Sequence, residues 1–192
     1  MSFEFDKNKI FSEYLVDKIA IKIGDEVIEA DCIGKYSEEM DTKTVTKGCR
    51  GVTRKSKTRG TGTGKVTIEL HAPRYMIDKM LNMHQSGLVQ GVAAYGVPSL
   101  HPDFQMTTHV KDEDDNEMFK AYPKCNISNK PNVETENGAE DVAMISMEIA
   151  VLPDEYEMGV YEAFAEDLPT EGQLTKETWM KNFTSKIAHT TA

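Results

Sequence analysis

The sequence predicts a mainly β fold with one flanking α-helix, and three observations point to it. Val66, Ile68 and Leu70 alternate with Thr67, Glu69 and His71, the period-two pattern of a half-buried strand. The alternation returns at Phe104, Met106, Thr108 and Val110, and again from Val142 to Leu152, where both faces are largely apolar. A strand apolar on both faces is central in its sheet or lies against a neighbouring subunit. Only one internal stretch, Ile77, Met80, Leu81 and His84, has helical spacing; Pro73 suits its first position and Gly87 its C-terminal cap.

Taken in order, residues 1–16 scatter Phe3, Phe5, Ile10, Phe11, Tyr14 and Leu15 among charges without a period, which predicts an arm that docks on something. Ile19, Ile21 and Ile23 form a strand running into a turn at Gly24-Asp25, with Val27-Ile28 opening the hairpin partner. From Leu88 to Pro102 an apolar but irregular segment reads as a crossing loop. The strand at Phe104–Val110 and a second over Met118–Ser128 make a hairpin across the acidic turn DEDDNE. Asp112, Asp114 and Asn116 there invite a calcium reading, but Glu117 stands where the EF-hand glycine belongs and Pro123 where its last glutamate belongs, so a solvated turn is expected. Val160–Ala165 reads as a last short strand in preference to a short helix. Residues 1–168 form the body, and 169–192 form a C-terminal extension in which Trp179, Phe183 and Ile187 recur every four residues behind Thr175, which can cap them, predicting a helix.

Residues 42–65 stand apart as a long basic loop. Between Asp41 and Glu69 there is no acidic residue, while Lys43, Lys47, Arg50, Arg54, Lys55, Lys57, Arg59 and Lys65 carry eight positive charges. The whole chain has 22 Lys and Arg against 32 Asp and Glu, so without those eight the remainder stands at 14 against 32, about −18 in a protein of net charge −10. A chain divided this way can bind its own copies. The glycines are not a phosphate loop: Arg59 replaces the first glycine, Val66 the hydroxyl residue, and a strand follows instead of the helix that a dinucleotide fingerprint needs. The run GTGTG reads as an arm becoming a strand, glycine giving freedom and threonine β preference.

Several function classes are excluded or disfavoured. The 192 residues and 39% hydrophobic content suit one domain with extensions. No run of about 18 apolar residues is present and the first ten residues lack an apolar core, so neither membrane insertion nor secretion is expected and the protein should be made in a cytoplasm. Cys32, Cys49 and Cys125 lack metal or disulfide spacing and read as free thiols. His71, His84, His101, His109 and His189 are scattered, no nucleophile elbow is present, and the carboxylate pairs lie in polar turns, so no catalytic, metal or cofactor residue is assigned and no enzyme is expected. Strong acidity disfavours nucleic acid as a tight ligand.

The ordered set GTGTGKVTIELHAPRYMIDKM, FQMTTHVKDEDDNEMFKAYPKCNISN, ENGAEDVAMISMEIAVLPDEY and VYEAF resembles the major tail tube proteins of long-tailed bacteriophages of Gram-positive hosts, over roughly Ile19 to Leu168. The resemblance implies a tail-tube-type β-sandwich or barrel with one flanking helix, a long loop and terminal arms. It implies hexameric rings stacked into a tube whose inner sheets line a channel for double-stranded DNA, with a tape measure protein and a tail terminator as further partners, in a virion tail assembled in the host cytoplasm. By position, Lys43, Lys47, Arg50, Arg54, Lys55, Lys57 and Arg59 then make contacts between rings. Glu69 and Glu148, opposite apolar strand faces, are the candidates for an acidic channel wall that DNA phosphates slide past. The C-terminal extension lies outside the resemblance. Three rival readings are the tube of a headless phage-tail-like bacteriocin, a small nucleic-acid-binding module resting on the basic loop, and a small hydrolase with a dispersed site.

Overall fold

The computed structural model describes residues 9–50, 52–138 and 140–189, with backbone only at Cys49, Val52 and Arg54. Phe3 and Phe5 of the expected arm lie outside the described residues. Eight strands form one antiparallel sheet: β1 (Leu15–Ile23), β2 (Glu26–Ala30), β3 (Ile33–Cys49), β4 (Val52–Leu70), β5 (Phe104–Lys111), β6 (Glu117–Ile127), β7 (Ile145–Leu152) and β8 (Tyr161–Phe164). Their order across the sheet is β2-β1-β5-β6-β7-β4-β3, with β8 paired to β6 beside that path. The fold is therefore mainly β, as the alternations predict.

One sheet makes both layers of the expected sandwich by curling over itself. Tyr36 and Glu38 of β3 touch Tyr122 and Lys120 of β6, although β7 and β4 separate those strands in the sheet. The enclosed core takes Ile19 and Ile21 from β1, Val66, Ile68 and Leu70 from β4, Met106, Tyr122 and Ile127 from β5 and β6, and Met147, Ile149 and Val151 from β7. Helix α1 (Arg74–Met80) closes the core with Met76, Ile77, Met80 and Leu81. It is shorter than its pattern suggests. Pro73 is extended and precedes the first turn, the left-handed Asn82 (φ 49°) ends the helix where Gly87 was expected to, and the exposed His84 falls outside the stripe.

The doubly apolar β7 is central, between β6 and β4, and begins at Ile145, three residues later than its pattern. The β1–β2 connection is the expected two-residue turn, with Gly24 at φ 61°. In the β5–β6 turn Asp112 accepts from the backbone N–H of Asp114 (2.9 Å) and Asn116 (2.8 Å) and from the Asn116 side chain (2.7 Å). The carboxylate is used up by its own turn, and no cluster of metal ligands exists among the described residues.

Two readings need correction. The basic loop at 42–65 is no loop, because β3 and β4 run through it as one long hairpin whose strands pair out to Cys49 and Val52. Its threonines are good strand residues, and a partner of equal length satisfies the backbone. The C-terminal helix is also broken. It consists of two single turns, α2 (Trp179–Asn182) and α3 (Ser185–Ala188), with Phe183 extended between them at φ −52°, ψ 133°. That break turns both Trp179 and Phe183 inward against Phe119, Ala121 and Ala165, a second small core on the outer face of β6. Burial of two aromatics outweighs the few hydrogen bonds of a continuous short helix.

Candidate assembly surfaces

The hairpin separates its side chains by chemistry. Lys43 pairs with Arg59, Val45 with Lys57 and Lys47 with Lys55, while Thr44 pairs with Thr58 and Thr46 with Ser56. By strand alternation Lys43, Lys47, Lys55, Lys57 and Arg59 share one face with Val45, and hydroxyl groups occupy the other. Thr44 and Thr58 hydrogen-bond across it at 2.8 Å. All five cations are exposed, and among the described residues none has a carboxylate within ion-pair distance. Like charges directly opposite on a sheet are unfavourable, each pair by roughly 0.2–1 kcal/mol. Arg50 sits at the tip with φ 52°; Arg54 lies on the strand, and its side chain is outside the described residues.

Glycine fixes where the hairpin points. Asp41 of β3 faces three residues of β4, Thr61, Gly62 and Thr63, between the pairs Thr42–Gly60 and Met40–Gly64. This bulge is held by Thr61 Oγ1 donating to the Asp41 carbonyl (3.1 Å) and Thr63 Oγ1 donating to the Asp41 carboxylate (2.8 Å). Gly62, at φ 75°, lies against the turn between β7 and β8, where a Cβ would stand 2.8 Å from the Glu157 carbonyl oxygen. A Cβ on Gly159 would stand 2.2 Å from the Gly62 oxygen. The GTGTG run is thus a close backbone contact that clamps the hairpin's base, where flexibility was expected.

Glu69 and Glu148 share the open face of β3, β4 and β7, the side away from the core. Thr67 lies opposite Glu148, and Glu69 opposite Ser146. Each carboxylate has a lysine: Lys35 Nζ is 3.7 Å from Glu69, and Lys65 Nζ is 3.5 Å from Glu148. Counting Glu39 on the neighbouring strand, three glutamates face two lysines there. That surface is weakly negative, less acidic than the two glutamates alone suggest.

A buried polar cluster that the sequence reading missed joins the hairpin's base to the body. Lys120, 5% exposed, reaches Glu13 (2.5 Å), Glu38 (2.8 Å) and Glu162 (3.2 Å). The Tyr122 hydroxyl donates to Glu38 at 2.8 Å and meets the Tyr36 hydroxyl. Burial pushes the Lys120 ammonium toward losing its proton, but the bonds to Glu13 and Glu38 more than offset this and hold its pKa above the usual lysine range. Burial raises the Tyr122 and Tyr36 phenols, so both stay neutral donors. The available signal was parity: Glu38 and Lys120 occupy inward-facing positions between Tyr36 and Met40 and between Met118 and Tyr122. Glu13 brings the expected N-terminal arm with it. Lys9 pairs with Glu166 and lies 3.9 Å from the centre of the Phe164 ring, which Phe11 meets edge-on at 5.4 Å.

No protein-family model matches the sequence, and no curated protein does. Solved structures with similar chains include the following three. The anti-feeding prophage cap (AFP tube terminating cap) gives 11% identity over 82% of this chain and 97% of that one, with TM-score 0.43. The PVC sheath-tube complex of an extracellular contractile injection system, in its extended state, gives 13% over 84% and 99%, with TM-score 0.44. The anti-feeding prophage baseplate gives 7% over 76% and 91%, with TM-score 0.40. At such scores these likenesses decide neither partner nor function.

Proposed function

We propose that this chain is a structural protein of a phage-type tail tube, assembling as stacked hexameric rings around a channel through which DNA is delivered. The observation that carries this reading is the β3–β4 hairpin, a rigidly based projection whose like-charged face makes no ion pair among the described residues. Such an element is complete only against an acidic partner, and the remainder of this chain is acidic. The sheet also has open edges: among the described residues no strand pairs with the outer side of β2 or of β3. Pairing edges around a ring removes that liability.

In this reading the cations of the hairpin contact a neighbouring ring, and the open face bearing Glu69 and Glu148 lines the channel. A wall of nearly balanced charge with a slight negative excess neither grips DNA nor strongly repels it. The protein acts as a conduit, without catalysis, in a virion tail assembled in the host cytoplasm, with a tape measure and a tail terminator as neighbours. The tube of a headless phage-tail-like bacteriocin has the same architecture without DNA, and genome context separates the two. The cationic face also favours a second reading, a nucleic-acid-binding module.

The test replaces Arg50, Arg54, Lys55, Lys57 and Arg59 with Ser and measures ring formation, tube length and DNA binding separately. Rings or monomers with native spectra and few long tubes are expected. Tubes of normal length with unchanged salt response contradict the role given to the hairpin, and lost DNA binding with intact assembly selects the nucleic-acid reading.

A further inference from the structure

The register of the sheet places charge at its two ends. β4 and β7 pair from Gly64–Val151 at one end to Leu70–Ile145 at the other. Beyond Gly64 the hairpin continues alone, so the cationic face projects from the Val151 end. Its eight residue pairs span about 26 Å at ~3.3 Å per residue, about the length of the eight-residue β7. At the Ile145 end lies the segment that enters β7, residues 129–144. It carries Glu134, Glu136, Glu140 and Asp141, all exposed and, among the described residues, all outside any ion pair. They rim a shallow depression completed by Thr135 and Ala143. Lys130 is the cation in that segment, and it lies over the Tyr95 ring at 5.4 Å. The other acidic turn, Asp112–Asn116, joins β5 to β6 beside Lys111 and Glu117, at the hairpin's own end of the sheet.

We propose that the cationic face of the β3–β4 hairpin docks on the acidic depression formed by Glu134, Glu136, Glu140 and Asp141 of a second copy of this chain. This rests on the self-assembling reading above and names the counter-surface within it. Each copy then presents a cationic projection at one end and its acidic complement at the other. A contact of this kind is head-to-tail, does not close on itself in pairs, and propagates along an axis. Opposite charge also sets polarity, because two hairpins repel and two depressions repel. By alternation the cationic side chains continue the strand face that bears Lys35, Ser37 and Glu39, the one assigned to the channel. Left uncovered, five cations there would hold DNA; covered by carboxylates, they are neutralised. The hydroxyl face of Thr44, Thr46, Ser56 and Thr58 makes no ionic demand and is free of this contact.

The experiment is charge reversal with complementation, on full-length protein. One variant carries Lys43→Glu, Lys47→Glu, Lys55→Glu, Lys57→Glu and Arg59→Glu; the other carries Glu134→Lys, Glu136→Lys, Glu140→Lys and Asp141→Lys. Each alone should keep the wild-type circular dichroism and lose long tubes by on the order of ten-fold or more, because like charges then meet. An equimolar mixture should recover them, since each variant's projection now matches the other's depression. Tubes of normal length from the depression variant alone, or a mixture that stays unassembled, overturn the docking surface while wild-type tubes keep the tube reading intact. If the wild type forms no tubes, that reading fails, and zero-length carbodiimide coupling still judges the contact. Links from Lys43, Lys47, Lys55 or Lys57 to Glu134, Glu136, Glu140 or Asp141 of another copy uphold it, and their absence among links between copies overturns it.

Discussion

Lys120 is the side chain on which three separate stretches converge: Glu13 from the arm, Glu38 from the base of the hairpin and Glu162 from β8. Glu38 is the partner that needs it, being 16% exposed, while Glu13 and Glu162 keep a third to a half of their side-chain surface in water. Removing the cation leaves a largely buried carboxylate with the Tyr122 hydroxyl but no counter-charge, and breaking such a pair costs about 3–5 kcal/mol. Lys120→Met is therefore expected to lower stability by about 3 kcal/mol, Glu162→Gln by under about 1 kcal/mol, and the double variant Lys120→Met, Glu38→Gln less than Lys120→Met alone. Urea unfolding followed by Trp179 fluorescence checks this; equal losses for Lys120→Met and Glu162→Gln would contradict it. Inward parity is the signal in the sequence that could have marked Lys120 and Glu38 as charges out of place, although the sequence reading did not use it. Their partnership was not visible, because it depends on a sheet curl that brings together residues 82 apart in sequence.

At the scale of elements, alternation made β1, the Val66–Leu70 part of β4, β5 and β7 readable and failed where a different force decided. The hairpin was hidden because both of its faces are polar: period two shows only where one face is buried, and Lys43–Lys47 against Lys55–Arg59 alternates charge with hydroxyl instead. The C-terminal segment shows the opposite failure, a true four-residue period broken because docking Trp179 and Phe183 requires an extended Phe183. Two carboxylates tie that segment to the sheet. Burial alone would raise the Glu117 pKa, but its bond with Lys176 holds it below the ordinary range. Asp154 is likewise lowered against its burial by Ser185, Tyr161 and two backbone N–H groups, and Tyr161 also bonds His189 at 3.0 Å. A folded pKa below the unfolded one stabilises at pH above the unfolded value, about 4, and the gain is lost as pH falls through the folded value. Trp179, 3% exposed and the chain's one tryptophan, should therefore keep blue-shifted emission above about pH 4 and shift red below it, with Lys176→Met loosening at higher pH than the wild type. An unchanged spectrum down to the global unfolding transition would show that these carboxylates do not hold the segment.

For the whole molecule, the division of charge read from the sequence becomes a direction in space. The cations lie on a projecting hairpin at one end of the sheet, four carboxylates outside any ion pair among the described residues lie at the other, and among those residues the outer sides of β2 and β3 carry no paired strand. Composition revealed the split, but only strand register revealed that its halves sit at opposite ends. Lateral edges suit ring closure and polar ends suit stacking, so association should proceed along both. Stacking through exposed charge weakens with salt, since at physiological ionic strength fields fade over about 8 Å. The most direct measurement is electron microscopy of the purified wild-type protein over a range of concentration and salt. The account predicts rings that stack into tubes, long at low salt and shorter as salt rises; a compact monomer at every concentration and every salt level would contradict it.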